Sequence, residues 1–235
     1  MKLLVCMGYW EGDKEQAIEV IDQASKLLSN KSDIVSLCYV HRFDATAPDI
    51  EVLARNREKF HKVYAVRSQY KYDGWPSGCN GLAYTILNHV LPGSEKTNEC
   101  ALILESDCVI TRPDWDVELL AEWSLAQKEK KTICGAVLPW AHCRGSSHVN
   151  ASALWGRNTY KQVHGLKQAK PRNIAWDYYY GSNTSLLARN SPLFRLDWKR
   201  PTITAKELFA SPALVFHGVK DDSARKAINK KYNLK

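Results

Sequence analysis

No apolar run in the 235-residue chain approaches the roughly 20 residues that a helix needs to cross a bilayer. The start, Met1 to Trp10, has too short an apolar core for a secretion signal and turns acidic at Glu11. Together these absences predict a cytoplasmic protein without membrane attachment. The seven cysteines are odd in number and none of their spacings is C-x-x-C, which removes the common zinc and dithiol motifs. Cys6, Cys38, Cys100, Cys108 and Cys134 lie in apolar runs, where reduced thiols pack as small hydrophobes. Cys134, His142, Cys143 and His148 match no common structural zinc spacing. The chain has no G-x-x-x-x-G-K followed by Ser or Thr, no G-x-S-x-G and no H-E-x-x-H. The commonest phosphotransfer and hydrolase classes are thereby removed. There is no repeat, low-complexity tract or interdomain linker.

What is present is an ordinary globular composition, 45% hydrophobic and 25% charged, with a surplus of positive charge. Thirty-three Lys and Arg against 25 Asp and Glu leave a net charge of +8, which favours a polyanionic partner or an anionic small substrate. Apolar and amphipathic segments alternate. Strands are predicted over Lys2–Met7, Asp33–Val40, Lys62–Val66, Ala101–Leu104 and Thr132–Leu138. Helices are predicted after an Asp13 cap, over Asp49–Phe60, over Ser77–Leu91 and over Trp115–Gln127. Such alternation implies a mostly parallel central sheet with helices on both faces. After Trp140 it stops. Ala141–Pro171 is rich in Gly, Ser, His, Asn and Lys and reads as loops. Trp176–Leu187 is aromatic and strand-like, Pro212–Phe216 is one more buried strand, and Asp221–Tyr232 is a basic helix.

The segment Cys100 to Ile110 carries an acidic pair, Glu105 and Asp107, inside an apolar run. In a strand the two would share a face. Their burial calls for a cation or hydrogen bonds, and oxygen ligands at the end of a parallel strand are what a Mg²⁺ or Mn²⁺ nucleotide site requires. A strand end dipping into solvent is the plainer alternative.

In its place and order, Glu105-Ser106-Asp107 resembles the DXD motif of GT-A glycosyltransferases, with Glu in the first position. The resemblance implies that Asp107 binds a divalent ion, Mn²⁺ or Mg²⁺, bridging the phosphates of a nucleotide-sugar. Glu105 then reaches either the metal or ribose. Phe216-His217-Gly218-Val219-Lys220 resembles the C-terminal segment of the same family, implying His217 as a further metal ligand and Lys220 as a diphosphate contact. The Gly- and Asn-bearing helix start around Trp75-Pro76-Ser77-Gly78-Cys79-Asn80 matches the donor pocket, with Arg67, Trp75 and Asn80 as contacts and Tyr9 positioned to stack on the base. Inverting members place an acid after the DXD strand to deprotonate the acceptor hydroxyl, and Asp177 is the best-placed one.

The resemblance covers nearly the whole chain. It implies one α/β, Rossmann-like GT-A domain over residues 1–235, with a nucleotide-sugar-binding half (1–140) and an irregular, basic acceptor-binding half (141–235). The compact size and the Trp-Pro-x-Gly-Cys-Asn segment look most like small phage-encoded glycosyltransferases acting on modified DNA bases. That implies double-stranded DNA with a hydroxymethylated pyrimidine as acceptor. Basic residues interleaved with Trp155, Tyr160, Trp176, Tyr178 and Trp198 suit such a partner. A non-DNA acceptor, a nucleotidyltransferase and a non-catalytic nucleic-acid-binding module are the alternatives.

Overall fold

The computed structural model describes residues 1–29, 32–139, 147–163, 173–197, 202–218 and 222–234. The first half alternates as expected: β1 (Lys2–Tyr9), α1 (Lys14–Lys26), β2 (Val35–His41), α2 (Ile50–Arg57) and β3 (Val63–Arg67). Helix α3 (Ser77–Thr85) continues through a π-helical stretch, Ile86–Val90, into the short α4 (Leu91–Gly93). Then come β4 (Asn98–Glu105), β5 (Cys108–Ile110) and α5 (Trp115–Lys128). The second half is built from shorter pieces: β6 (Ile133–Gly135), β7 (Val137–Pro139), β8 (Ser147–Val149), β9 (Leu154–Gly156), α6 (Thr159–Gln162), α7 (Trp176–Tyr179), α8 (Gly181–Leu186), β10 (Ala188–Asn190), β11 (Phe194–Leu196), α9 (Ala205–Ala210), β12 (Val215–His217) and α10 (Ser223–Tyr232).

A seven-stranded sheet of order β10-β6-β9-β4-β1-β2-β3 forms the centre. Strands β4, β1, β2 and β3 run parallel, and β9 runs antiparallel to both β4 and β6. Side chains of β1 alternate between two apolar layers. Leu3, Val5 and Met7 pack with Ala17, Ile21, Trp115 and Phe216 on one face, and Leu4 and Cys6 pack with Tyr84, Leu87 and Trp176 on the other. This period of two is why the strand is apolar throughout: both faces are covered. Each fully buried Leu or Ile there contributes roughly 1.5–3 kcal/mol.

Three expectations are corrected. The predicted strand Thr132–Leu138 is two strands in different sheets. The Asn190 side chain takes the Val137 N–H at 3.0 Å, and β7 leaves to pair with β8. Within the segment read as loops, β9 enters the middle of the central sheet, with Trp155 fully buried. Trp176–Leu187 forms the helices α7 and α8 rather than a strand. A helix start leaves backbone N–H groups without partners, and at α7 the distant Asn80 Oδ1 accepts from the Trp176 N–H at 2.8 Å. That tertiary cap overrides the β preference of the aromatic run.

Candidate active site

Strand β4 delivers Glu105 to its carboxyl end, and the chain then turns through Ser106 and Asp107 into β5, which belongs to another sheet. The pair is therefore carried by a strand end and a turn, not by one strand face. Strand β12 lies antiparallel to β5, with His217 opposite Cys108, and Gly218 N–H donates to the Asp107 carbonyl at 3.1 Å. This pairing brings His217 Nε2 to 3.1 Å from Asp107 Oδ1 and 3.3 Å from Glu105 Oε2. On the other side of the ring, Nδ1 lies 2.9 Å from Asn150 Oδ1.

Burial opposes charge on His217, but Glu105 and Asp107 outweigh it and hold the imidazole well above its ordinary pKa. Two carboxylates and an imidazole nitrogen suit a small divalent cation. Their 3.1 and 3.3 Å separations match the edge of an octahedron with bonds of about 2.1 Å, roughly 3.0 Å. Cys108 Sγ also lies within reach of the Asp107 and His217 donors. Burial raises its pKa to about 11, and the sulfur contacts the Glu105 N–H and Ser152 Oγ. As a soft ligand, the sulfur is a poorer match than the carboxylates for a hard ion such as Mg²⁺ or Mn²⁺.

Glu105, Asp107 and His217 share a cavity of about 390 Å³ with Trp75, Cys79, Asn80, Asn150, Trp176, Asp177, Tyr178 and Leu196. Asp177 sits in the first turn of α7, 7% exposed. Burial, and next the charge of Glu105, raises its pKa to about 7. Trp75 stands at the same cavity 79% exposed. Asn80 lines it too, but both ends of its amide are engaged, Nδ2 donating to the Ile174 carbonyl at 3.0 Å and Oδ1 accepting from Trp176. It fastens the segment that carries Asp177. A smaller recess of about 60 Å³ adjoins, sharing Cys79, Glu105, Ala151 and Trp176 and reaching Gly8 and Trp10.

Several other residues named from the sequence stand apart from this cavity or are engaged elsewhere. Tyr9 lines the small recess, but its side chain is 1% exposed and its hydroxyl donates to the Thr46 carbonyl at 2.8 Å. Its ring is thus core and not free to stack. Arg67 ends the edge strand β3, beyond β1 and β2 from β4, outside the cavity lining. Trp155 and Trp176 are buried, at 0% and 3% exposure, and cannot stack on an incoming base. Lys220, His142, Cys143 and Trp198 lie outside the described residues. Asp13 makes no side-chain cap to α1. Its carboxylate accepts from Ser106 Oγ at 2.6 Å and from the Trp10 N–H at 2.9 Å, tying the first loop to the acidic turn. Burial raises its pKa, with Glu105 and Asp107 adding to the effect. Asn150 and Asp13 escaped the sequence reading. Asp13 precedes an amphipathic helix, which is a cap signal, and nothing near Asn150 marks it.

A larger open cleft, of about 760 Å³, lies between α1 and α10. Among the described residues its one arginine, Arg225, is already paired with Glu19 and Asp222, and no cluster of candidate metal ligands lies there.

A mostly parallel sheet crossed by one antiparallel strand, with an acidic turn at the carboxyl end of β4 and a late-chain histidine folded back onto it, defines a GT-A-like fold. Solved glycosyltransferases share it. Apo GlyE of Streptococcus pneumoniae superposes with a TM-score of 0.56 at 12% identity, over 100% of this chain and 61% of that one. Apo mouse xyloside xylosyltransferase 1 superposes with a TM-score of 0.54 at 12% identity, over 93% and 98%. A fragment of S. aureus TarS gives 0.51 at 13% identity, over 100% and 72%. No protein-family description and no curated protein sequence matches the chain. Among the described residues no helix is long and apolar enough to cross a membrane.

Proposed function

We propose that the protein is a metal-dependent glycosyltransferase that takes a sugar from a nucleotide-sugar and passes it to a hydroxyl acceptor. The observation that carries this reading is the convergence of Glu105, Asp107 and His217, from distant parts of the chain, in one cavity with the protonatable Asp177. Support for the donor class comes from TarS, which has also been solved with UDP-GlcNAc, at a TM-score of 0.50 and 14% identity. Asp107 and His217 hold Mn²⁺ or Mg²⁺, with Glu105 beside them. When bound, such an ion supplies positive charge to a departing diphosphate. Asp177 takes the acceptor proton as the acceptor oxygen bonds to the anomeric carbon. The bond from that carbon to the donor phosphate oxygen breaks, and the nucleotide leaves with the electron pair.

For the acceptor we propose double-stranded DNA carrying a hydroxymethylated pyrimidine. The net charge of +8 supports a polyanion, and Trp75 offers exposed aromatic surface at the cavity. Nucleotide release from UDP-, GDP- and CMP-sugars, measured with Mn²⁺ and again with EDTA, tests the donor and metal parts. Release with one donor class that disappears in EDTA is expected; no release with any donor overturns the reading. Sugar transfer to hydroxymethylated duplex, with affinity falling steeply as salt rises, tests the acceptor. Salt-independent binding, or no transfer with any donor, removes DNA and leaves the donor chemistry standing.

A further inference from the structure

Asn150 lies between β8 and β9, 67 residues before His217 in the chain, and is 5% exposed. Its Oδ1 has two neighbours, the Ser152 backbone N at 3.2 Å and His217 Nδ1 at 2.9 Å. A backbone N–H can only donate, so the atom facing both is the carbonyl oxygen of the amide. His217 Nδ1 must therefore carry the proton. In a neutral imidazole that arrangement leaves the lone pair on Nε2, the nitrogen directed at Asp107 and Glu105. The turn that presents Asn150 is itself held, since Ser152 Oγ lies 3.2 Å from Cys108 Sγ, directly after the acidic turn.

We propose that Asn150 is a positioning residue, fixing the tautomer and ring direction of His217 so that Nε2 and the two carboxylates face one divalent cation. The inference rests on the metal reading above and adds a supporting residue outside the acidic turn and the histidine. Outer partners that hold a metal-binding histidine are typically worth about 10–100-fold in metal affinity. The distance in sequence also has a consequence: the segment before β9, which reads as loop, becomes part of the metal centre.

Titration of the full chain with Mn²⁺ alone, following free Mn²⁺ by electron paramagnetic resonance, tests this. Asn150→Ala is expected to weaken Mn²⁺ binding by about 10–100-fold. Asn150→Asp, whose carboxylate still accepts from both donors, is expected to bind within a few-fold of wild type or tighter. On a His217→Ala background, Asn150→Ala is expected to add little further loss, because the two residues act as one unit. Wild-type affinity in Asn150→Ala beside weakened affinity in His217→Ala overturns this proposal alone. Equal loss in a folded Asn150→Asp and in Asn150→Ala overturns it as well, since the acceptor retained by Asp should have preserved binding. A wild-type protein that takes up no Mn²⁺ overturns the metal reading and this proposal with it.

Discussion

Asp177 is under two opposing demands. Burial beside Glu105 raises its pKa to about 7, which disfavours the ionised form that a general base requires. Turnover by the wild type should therefore rise with pH through about 7 and level off above it. Asp177→Asn should lose on the order of 10²–10⁴ in rate and flatten that limb, as a pH–rate profile of nucleotide release would report. The same shift has a stability sign. Between the unfolded carboxyl value of about 4 and the folded value of about 7, the native state holds a proton that the unfolded state has lost. Stability then falls as pH rises through that window. Asp177→Asn removes this cost, so it should melt higher than wild type at pH 8 while the two nearly coincide at pH 4. Asp107, paired with His217, is tested through turnover. Asp107→Asn should slow donor turnover by on the order of 10²–10³, and excess Mn²⁺ should restore only part of it. Full activity of that variant in EDTA-treated buffer would remove Asp107 from the site.

At the level of elements, the second half of the chain depends on short pieces pinned by side chains rather than by long ladders. Helix α7 is a single turn, too short to be stable by its own backbone bonds. Asn80 supplies what it lacks by accepting from the Trp176 N–H and donating to the Ile174 carbonyl. Asn80→Ala strands the buried Trp176 N–H, removes a donor from the part-buried Ile174 carbonyl, and should cost about 2 kcal/mol. Because α7 carries Asp177, the same change should lower turnover more than it lowers donor affinity, a split visible in kcat against KM. Strand β9 is also short, yet it is inserted between β4 and β6. Its terminal Gly156 admits no side chain, since a Cβ there would meet the Thr132 carbonyl and the Trp123 ring at 2.9 Å. Arg157 follows at once and ties the strand end to the carbonyls of Asn98, Pro92 and Ser94.

For the whole molecule, the cavity joins residues from both halves of the chain: Glu105 and Asp107 from the first, Asn150, Asp177 and His217 from the second. A ligand that bridges them stabilises only the folded, assembled form, in proportion to the logarithm of its concentration over its Kd. Nucleotide and Mn²⁺ together should raise the melting temperature by more than the sum of each alone, measured by differential scanning fluorimetry. In His217→Ala the excess should vanish. Purely additive shifts would count against a shared nucleotide–metal site.

The sequence by itself determined the alternating strands and helices from β1 to α5 and the acidic residues that end β4. There, strands covered on both faces are continuously apolar, helices repeat at 3.6 residues, and each element is long enough for its period to be read. His217 is reachable only through the resemblance of Phe216-His217-Gly218-Val219-Lys220 to the family's C-terminal segment. A histidine ending an apolar run is not distinctive by itself, since His41 ends one too. Only the tertiary structure decided the rest. Leu154-Trp155-Gly156 is too short to show a period, and its place in the sheet comes from β4 and β6 on either side. The aromatic run at Trp176 is helical because Asn80, 96 residues away, caps it. Tyr9 has the chemistry of a stacking residue but is consumed by the core, where its hydroxyl finds the Thr46 carbonyl. Asn150 bears no local mark at all. Its importance lies in a hydrogen bond to His217 that exists only once β12 has paired with β5, and local propensity carries no information about such a contact.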